Sequence, residues 1–149
     1  MDEAMAQLKG QCLCGAVGFS ARAAATEFAA CHCKMCQRWA GSALLAVTVG
    51  DADITWRGAE HIRRIASSDW AERAWCDACG TGLWYRITDG PLVGSYEVPI
   101  GLFDDSAGIT LTREIFVDHK SPSFAFAGDL DQMTEAQTLA MFGVTPEGA

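Results

Sequence analysis

The sequence has no apolar stretch that approaches the length of a membrane-spanning helix, although 50% of its 149 residues are hydrophobic. A helix needs about 20 mostly apolar residues to cross a bilayer, so we expect no membrane span. The opening residues include Asp2 and Glu3 and no long apolar run, which does not match a secretory signal. We therefore expect a cytoplasmic protein, in a compartment that keeps thiols reduced.

Runs of basic residues are also missing from this chain. It has 11 Lys and Arg against 19 Asp and Glu, which gives a formal net charge of −8. Because an acidic protein repels the phosphate backbone, nucleic acid is not expected as a direct partner. A small anionic ligand would need a local pocket of positive charge in this field.

Internal repeats, linkers and low-complexity segments are absent too, and 149 residues fit a single domain. Short apolar segments separated by glycine-rich turns predict an all-β fold. A short strand and a connection are predicted within residues 16–29, and further strands at 44–49, 54–56, 62–65, 83–87, 92–98, 109–111 and 114–117. One helical turn is expected at 37–40, and residues 130–142 are predicted to form an amphipathic helix or a loose tail. Residues 145–149 are expected to fray.

Seven cysteines dominate what the sequence does contain, and they fall into three tight groups. These are Cys12-x-Cys14, Cys31-x-Cys33-x-x-Cys36 and Cys76-x-x-Cys79. Gaps of one or two residues bring sulfurs within reach of one ion, and Zn²⁺ binds thiolates tetrahedrally. The odd count, the short gaps and the lack of a signal weigh against disulfides. Because a closed site takes four ligands and an open site three, seven thiols can hold two zinc ions.

The segment Cys76-Asp77-Ala78-Cys79-Gly80 has the form of a zinc knuckle, which aims two sulfurs at one ion and uses the glycine for a left-handed turn. A knuckle supplies two ligands and needs a second pair. In an extended strand Cys12 and Cys14 would point the same way, so they are one candidate. That pairing would close a loop of about sixty residues. A site built from the 12/14 and 31/33 pairs is the alternative.

With the first pairing, Cys31, Cys33 and Cys36 form a three-thiolate site with one corner open to water or substrate. His32 lies inside this group, but its ring should point away because neighbouring side chains alternate in direction. His61 and His119 are expected to be surface or hydrogen-bonded histidines. Closure of the site by a histidine would make it structural instead.

Several segments that together contain all seven cysteines resemble the glutathione-dependent formaldehyde-activating enzyme (Gfa) family, which includes centromere protein V. They are Gly10–Val17, Cys31–Ser42, Ser67–Thr81, Glu114–Val117 and Lys120–Phe124. The resemblance covers residues 8–126, so we expect a Gfa-like zinc domain there. Residues 127–149 would form a C-terminal extension that packs on this domain or trails it.

This resemblance implies a single domain of paired antiparallel sheets with a short C-terminal helix or tail. It implies that Cys12, Cys14, Cys76 and Cys79 bind a structural Zn²⁺, and that Cys31, Cys33 and Cys36 bind a catalytic one. The family's activity joins glutathione to formaldehyde as a carbon–sulfur lyase, which implies a small thiol and a small aldehyde as partners. Many relatives carry tryptophan where this chain has Ser123-Phe124, which predicts a different substrate choice if this position lines the pocket.

Glutathione brings carboxylates, for which Lys34, Arg38 and Arg73 are candidate cations, with solvated surface charges as the alternative. Trp39 and Trp84 could floor a pocket, although core packing is the preferred interpretation. Two other functions remain open: a zinc-stabilised binding module without turnover, and a thiol redox sensor. Two zinc ions, one of them labile, would favour the enzyme.

Overall fold

The computed structural model describes residues 7–143, so the predictions for the first six residues and for 145–149 lie outside the described part. Within it the chain forms eleven strands and two α-helices. They are β1 Leu8–Gln11, β2 Gly18–Ala21, β3 Glu27–Cys31, α1 Lys34–Ala40, β4 Leu44–Gly50, β5 Ile54–Arg57, β6 Ile62–Ser68, β7 Ala71–Cys76, β8 Gly82–Ile87, β9 Ser95–Pro99, β10 Thr110–Ile115, β11 Asp131–Gln132 and α2 Glu135–Phe142. None of the helices in residues 7–143 has the length and apolar character needed to cross a membrane.

The chain divides into two compact units. Unit 1 consists of Met1–Thr26 and Ala46–Ile109, and unit 2 of Glu27–Leu45 and Thr110–Ala149. Each unit therefore draws on two separate stretches of the sequence. The seven cysteines are shared between them, with the 12/14 and 76/79 pairs in unit 1 and the 31/33/36 group in unit 2.

Unit 1 is built from two antiparallel sheets. One has the order β1-β2-β5, and in the other β4, β9, β8, β7 and β6 follow one another. Trp56 of the first sheet meets Trp84 of the second at 4.7 Å between ring centroids, and Tyr96 lies 4.9 Å from Trp84. These rings pack on a buried cluster that includes Cys12 and Cys76. The sheets therefore enclose a core that contains part of a cysteine group.

Unit 2 contains two parallel pairings, since β10 runs parallel to both β3 and β11. Helix α1 begins after Cys33, which caps it, and ends at Gly41 in the left-handed conformation. Thr134 starts α2 with a capping box that involves Gln137. The mostly β class with a short C-terminal helix is confirmed, and the parallel strands refine the predicted antiparallel arrangement.

Element boundaries depart from the predictions where local backbone geometry intervenes. Strand β9 begins only at Ser95 because Gly94 adopts a φ of +116° just before it. The two strands predicted at 109–111 and 114–117 are one strand, β10, which stops where Phe116 turns to a φ of +55°. The helix predicted from residue 130 is preceded by β11 and starts after the Thr134 cap.

Candidate metal centres

In unit 1 the four-cysteine cluster brings together Cys12, Cys14, Cys76 and Cys79. All four Sγ atoms lie within 4.8 Å of one another. The Sγ of Cys14 is 3.8 Å from that of Cys12 and 3.9 Å from that of Cys76. Tetrahedral zinc with Zn–S bonds of about 2.3 Å needs sulfurs about 3.8 Å apart. The cluster thus has the donor set and the spacing of a closed zinc site.

Both halves of this cluster are turns that end in a left-handed glycine. Gly80 has a φ of +82° and its N–H donates to the Cys76 carbonyl at 2.7 Å, as the predicted knuckle requires. Gly15 has a φ of +83° and its N–H donates to the Cys12 carbonyl at 3.2 Å. The expectation that Cys12 and Cys14 belong to an extended strand is therefore wrong. A turn converges their sulfurs, with β1 ending at Gln11.

Thr81 links the two halves of the four-cysteine cluster. Its hydroxyl lies 3.1 Å from the Cys79 Sγ and accepts a hydrogen bond from the Leu13 N–H at 3.1 Å. The side-chain and backbone hydrogen bonds from Thr81 lower the pKa of the Cys79 thiol to about 5. The backbone N–H of Val17 donates to the Cys12 sulfur at 3.4 Å. These donors favour thiolates, the form that binds zinc.

In unit 2 the three-cysteine cluster consists of Cys31, Cys33 and Cys36, again with the sulfurs within 4.8 Å of one another. Cys31 is the last residue of β3, Cys33 caps α1, and Cys36 lies buried in the first turn of that helix. Across residues 7–143, no His, Asp, Glu or further Cys donor joins this group within the same spacing. The cluster therefore offers three soft ligands to a candidate ion.

The three thiols also affect one another's ionisation. Hydrogen bonds with Cys33 and Cys36, together with burial, raise the pKa of the Cys31 thiol far above its ordinary value. Three thiolates at this spacing repel, and a divalent cation removes that repulsion. The backbone N–H of Cys36 donates to the Cys33 sulfur at 3.3 Å, which supports negative charge there.

His32 lies between two of these cysteines, and its ring nitrogens do not join the group that their sulfurs form, in agreement with the prediction that it is not a ligand. Its Nε2 is 2.8 Å from the Glu114 Oε1, and both side chains are almost completely buried. Burial raises the pKa of Glu114, but hydrogen bonds from Gln132 and His32 outweigh it and hold that pKa below its ordinary value. Glu114 is therefore a carboxylate, which accepts, so the His32 Nε2 donates.

The other two histidines form hydrogen bonds with carboxylates at the surface, as predicted. His61 contacts Asp77 at 2.9 Å, and His119 contacts Glu135 at 2.8 Å. Asp118 lies close enough to His119 and Glu135 for the three to be a conceivable metal group. Asp118 already accepts the N–H of Glu135 at 2.9 Å, so these side chains serve to fasten the start of α2.

The predicted substrate-binding cations belong to different units. Lys34 and Arg38 are exposed and lie one turn apart on α1, beside the three-cysteine cluster. Arg73 is 4% exposed in unit 1, with its guanidinium 4.5 Å from the Tyr85 ring centroid. Lys34 also contacts the Gln37 side chain at 3.4 Å.

The two tryptophans considered as pocket walls lie in different units. Trp84 belongs to the core of unit 1, which agrees with the preferred interpretation of core packing. Its indole N–H donates to Glu72 at 3.0 Å. Trp39 is half-buried on α1 in unit 2. Core packing therefore accounts for Trp84.

Arg73 is part of a row of side chains on one face of the second sheet of unit 1. Thr48, Glu97, Tyr85 and Arg73 are successive cross-strand partners from β4 to β7, so their side chains share that face. The Thr48 hydroxyl donates to Glu97 at 2.8 Å. Burial raises the pKa of Glu97 from 4.5 to about 7, a shift that the Thr48 hydrogen bond partly offsets.

Three residues that support the cysteine clusters were not identified from the sequence. Thr81 and Glu114 do so through the contacts above, and Gln37 donates from its Nε2 to the carbonyls of His32 at 2.6 Å and His119 at 2.8 Å. The sequence did contain a signal for Glu114, because a carboxylate in an apolar strand segment is buried only when another polar group pairs with it. Gln37 and Thr81 are ordinary polar residues, and only their three-dimensional contacts distinguish them.

The fold and the two clusters define a mostly β protein whose thiols form candidate metal centres. The chain belongs to the glutathione-dependent formaldehyde-activating enzyme family, whose model matches residues 7–119. An uncharacterized lyase of Schizosaccharomyces pombe is 29% identical over 135 residues, 91% of this chain and 96% of that protein. A crystal structure of a Rhodobacter sphaeroides protein is similar with a TM-score of 0.56 and 25% identity, covering 70% of this chain and 99% of that one. The expected family is thus confirmed.

Proposed function

We propose that the protein is a carbon–sulfur lyase that joins a small thiol, such as glutathione, to formaldehyde or a related small aldehyde. The observation that carries this proposal is the three-cysteine cluster, which offers three sulfurs to one ion and a position for a fourth ligand. The family match and the lyase of Schizosaccharomyces pombe support the reaction class.

Two Zn²⁺ ions have separate roles in this proposal. The four-cysteine cluster has its tetrahedral positions filled by the chain and serves the fold. Cys31, Cys33 and Cys36 hold the second ion. When bound there, zinc lowers the pKa of a thiol that takes its fourth position from about 8.5 toward neutrality.

The reaction forms one carbon–sulfur bond. The thiol sulfur attacks the carbonyl carbon, the C=O π electrons move to oxygen, and the proton lost from sulfur ends on that oxygen as a hydroxyl group. The reverse direction breaks the same bond. Free thiols add to formaldehyde without help, so the protein has to supply capture and orientation more than a large reduction of the barrier.

The residues around the cluster supply that capture. The Cys36 N–H stabilises charge on Cys33, and Gln37 holds the turn between β3 and α1 by its two hydrogen bonds to carbonyls. Lys34 and Arg38 flank this turn on the exposed side of α1, where they can meet the carboxylates of a thiol peptide.

Metal quantitation with X-ray absorption tests the proposal directly. We expect two zinc ions per chain with an average of 3.5 protein sulfurs each, and a total sulfur coordination that rises toward four when the glutathione sulfur is added. In Cys33→Ser we expect one zinc, a folded protein and no catalysed thiol addition. Met35→Leu is the matched control, since Met35 is exposed on the same helix and holds no metal in this proposal.

Other outcomes would point to the alternative functions. A single zinc, or two zinc ions whose sulfur count ignores glutathione, would indicate a binding module. Reversible zinc release by peroxide without any catalysed addition would indicate a redox sensor.

A further inference from the structure

His32 and Glu114 form a buried hydrogen-bonded pair that no part of the proposed reaction uses. Their side chains are 1% and 3% exposed, and the Nε2–Oε1 distance is 2.8 Å. Burying such a pair costs desolvation free energy, and apolar residues of similar size usually stabilise a core at least as well. Stability alone therefore does not explain why the pair is present.

The location of His32 in the chain supplies a candidate role. It stands between Cys31 and Cys33. Its backbone N–H donates to the Ile115 carbonyl at 3.0 Å, and this hydrogen bond continues the β3–β10 pairing. In extended backbone, neighbouring side chains point to opposite sides. The direction of the His32 ring and the direction of the two flanking thiols are thus coupled by the backbone.

The ring of His32 is fully buried, and one of its two nitrogens forms a hydrogen bond. Among residues 7–143 its Nδ1 has no hydrogen-bond partner, so Glu114 alone orients the ring by hydrogen bonding. The Gln132 Nε2 donates to the second oxygen of Glu114 at 2.9 Å. The rings of Phe124 and Phe126 lie near the imidazole, with centroids at 6.1 Å and 6.0 Å from it, and their own centroids are 5.7 Å apart, so the three rings form a triangle.

We propose that His32 is a positioning residue for the three-cysteine cluster: Glu114 holds its ring on one side of the chain, and this turns the thiols of Cys31 and Cys33 together to the other. Gln132 and the two phenylalanines complete the socket for the ring. The inference rests on the proposed metal-binding role of this cluster. It assigns Phe124 to the socket.

The test separates positioning from stability with a paired substitution. His32→Leu alone removes the hydrogen bond to the Glu114 Oε1 and leaves a buried carboxylate with Gln132 alone, which destabilises the fold whatever happens at the cysteines. The double variant His32→Leu with Glu114→Met replaces the pair by apolar side chains and is expected to fold as stably as the wild type. His32→Gln keeps an N–H near the position of Nε2. His119→Leu is the matched control, because that histidine also pairs with a glutamate in unit 2, but at the surface.

The measurements are zinc per chain, competition with a chelator for the more labile zinc, thermal unfolding, and the absorption spectrum of the protein loaded with Co²⁺. We expect the double variant to unfold like the wild type and to hold the labile zinc ~10- to 100-fold more weakly, with an altered Co²⁺–thiolate spectrum. His32→Gln should recover part of the affinity, and His119→Leu should retain all of it.

Wild-type zinc affinity and an unchanged Co²⁺ spectrum in the double variant would overturn the positioning role while leaving the proposed function intact. If the double variant does not fold, the same comparison is made with Glu114→Gln, for which weaker zinc binding supports the inference and unchanged binding contradicts it. A wild-type protein that binds one zinc only would overturn both proposals.

Discussion

Replacement of Cys76 by serine is the sharpest test of the four-cysteine cluster. This cysteine is fully buried, belongs to the core cluster of unit 1, and has its sulfur 3.9 Å from that of Cys14, a residue 62 positions away in the chain. A metal bond between the two halves of the cluster therefore closes a long loop. Serine keeps the size of the side chain but removes a soft thiolate ligand.

The magnitude follows from the length of that loop. The chain-entropy relation for cross-links gives about 4 kcal/mol for a closure of 62 residues. Apparent binding energies of structural zinc sites are larger, about 10–16 kcal/mol near neutral pH. Since a whole domain has a net stability of about 5–15 kcal/mol, we expect Cys76→Ser to lose at least about 4 kcal/mol and to be largely unfolded.

Urea unfolding followed by circular dichroism, with and without a zinc chelator, measures this loss. In the presence of zinc we expect the variant to unfold at much lower urea than the wild type, and with the metal removed we expect the two proteins to converge. A variant that keeps two zinc ions and wild-type stability would refute the assignment of Cys76. If the variant is less stable than the wild type by the same amount with and without zinc, then core packing, and not metal, is the cause.

Three further predictions concern single residues of unit 1. Because burial raises the pKa of Glu97 from 4.5 to about 7, the folded state holds a proton that the unfolded state releases between these values. Stability should therefore fall as pH rises through that window, by at most about 3 kcal/mol, and urea titrations of Glu97→Gln should lack this fall. Thr81→Val removes the hydroxyl 3.1 Å from the Cys79 sulfur and should release the tighter zinc to a chelator about 10-fold faster, whereas Thr88→Val at an exposed position should not. Gly58→Ala should destabilise the protein by about 2 kcal/mol or more, because Gly58 has a φ of +78° and an added Cβ would collide with the Ala16 carbonyl. Thermal unfolding should show a lower melting temperature, and an unchanged one would contradict this geometry.

The strands that the sequence predicted well are those whose side chains alternate or form apolar runs. β4 and β8 are found at Leu44–Gly50 and Gly82–Ile87, within two residues of prediction. β3, with the sequence Glu-Phe-Ala-Ala-Cys, was not predicted because its alanines carry little strand signal, and its pairing with β10 comes from a distant part of the chain. The proposed boundary at residue 126 and the cytoplasmic location remain predictions.

The sequence by itself determined the family, the β class and the grouping of the thiols, because metal ligation depends on short spacings that are visible in a single chain. Only the tertiary structure brought Cys12 and Cys14 to Cys76 and Cys79, by a turn where an extended strand was expected. It also revealed Glu114 beside His32, 82 residues away. Such partners are set by strand pairing between distant segments, and the buried hydrogen bonds that result leave no local pattern in the sequence.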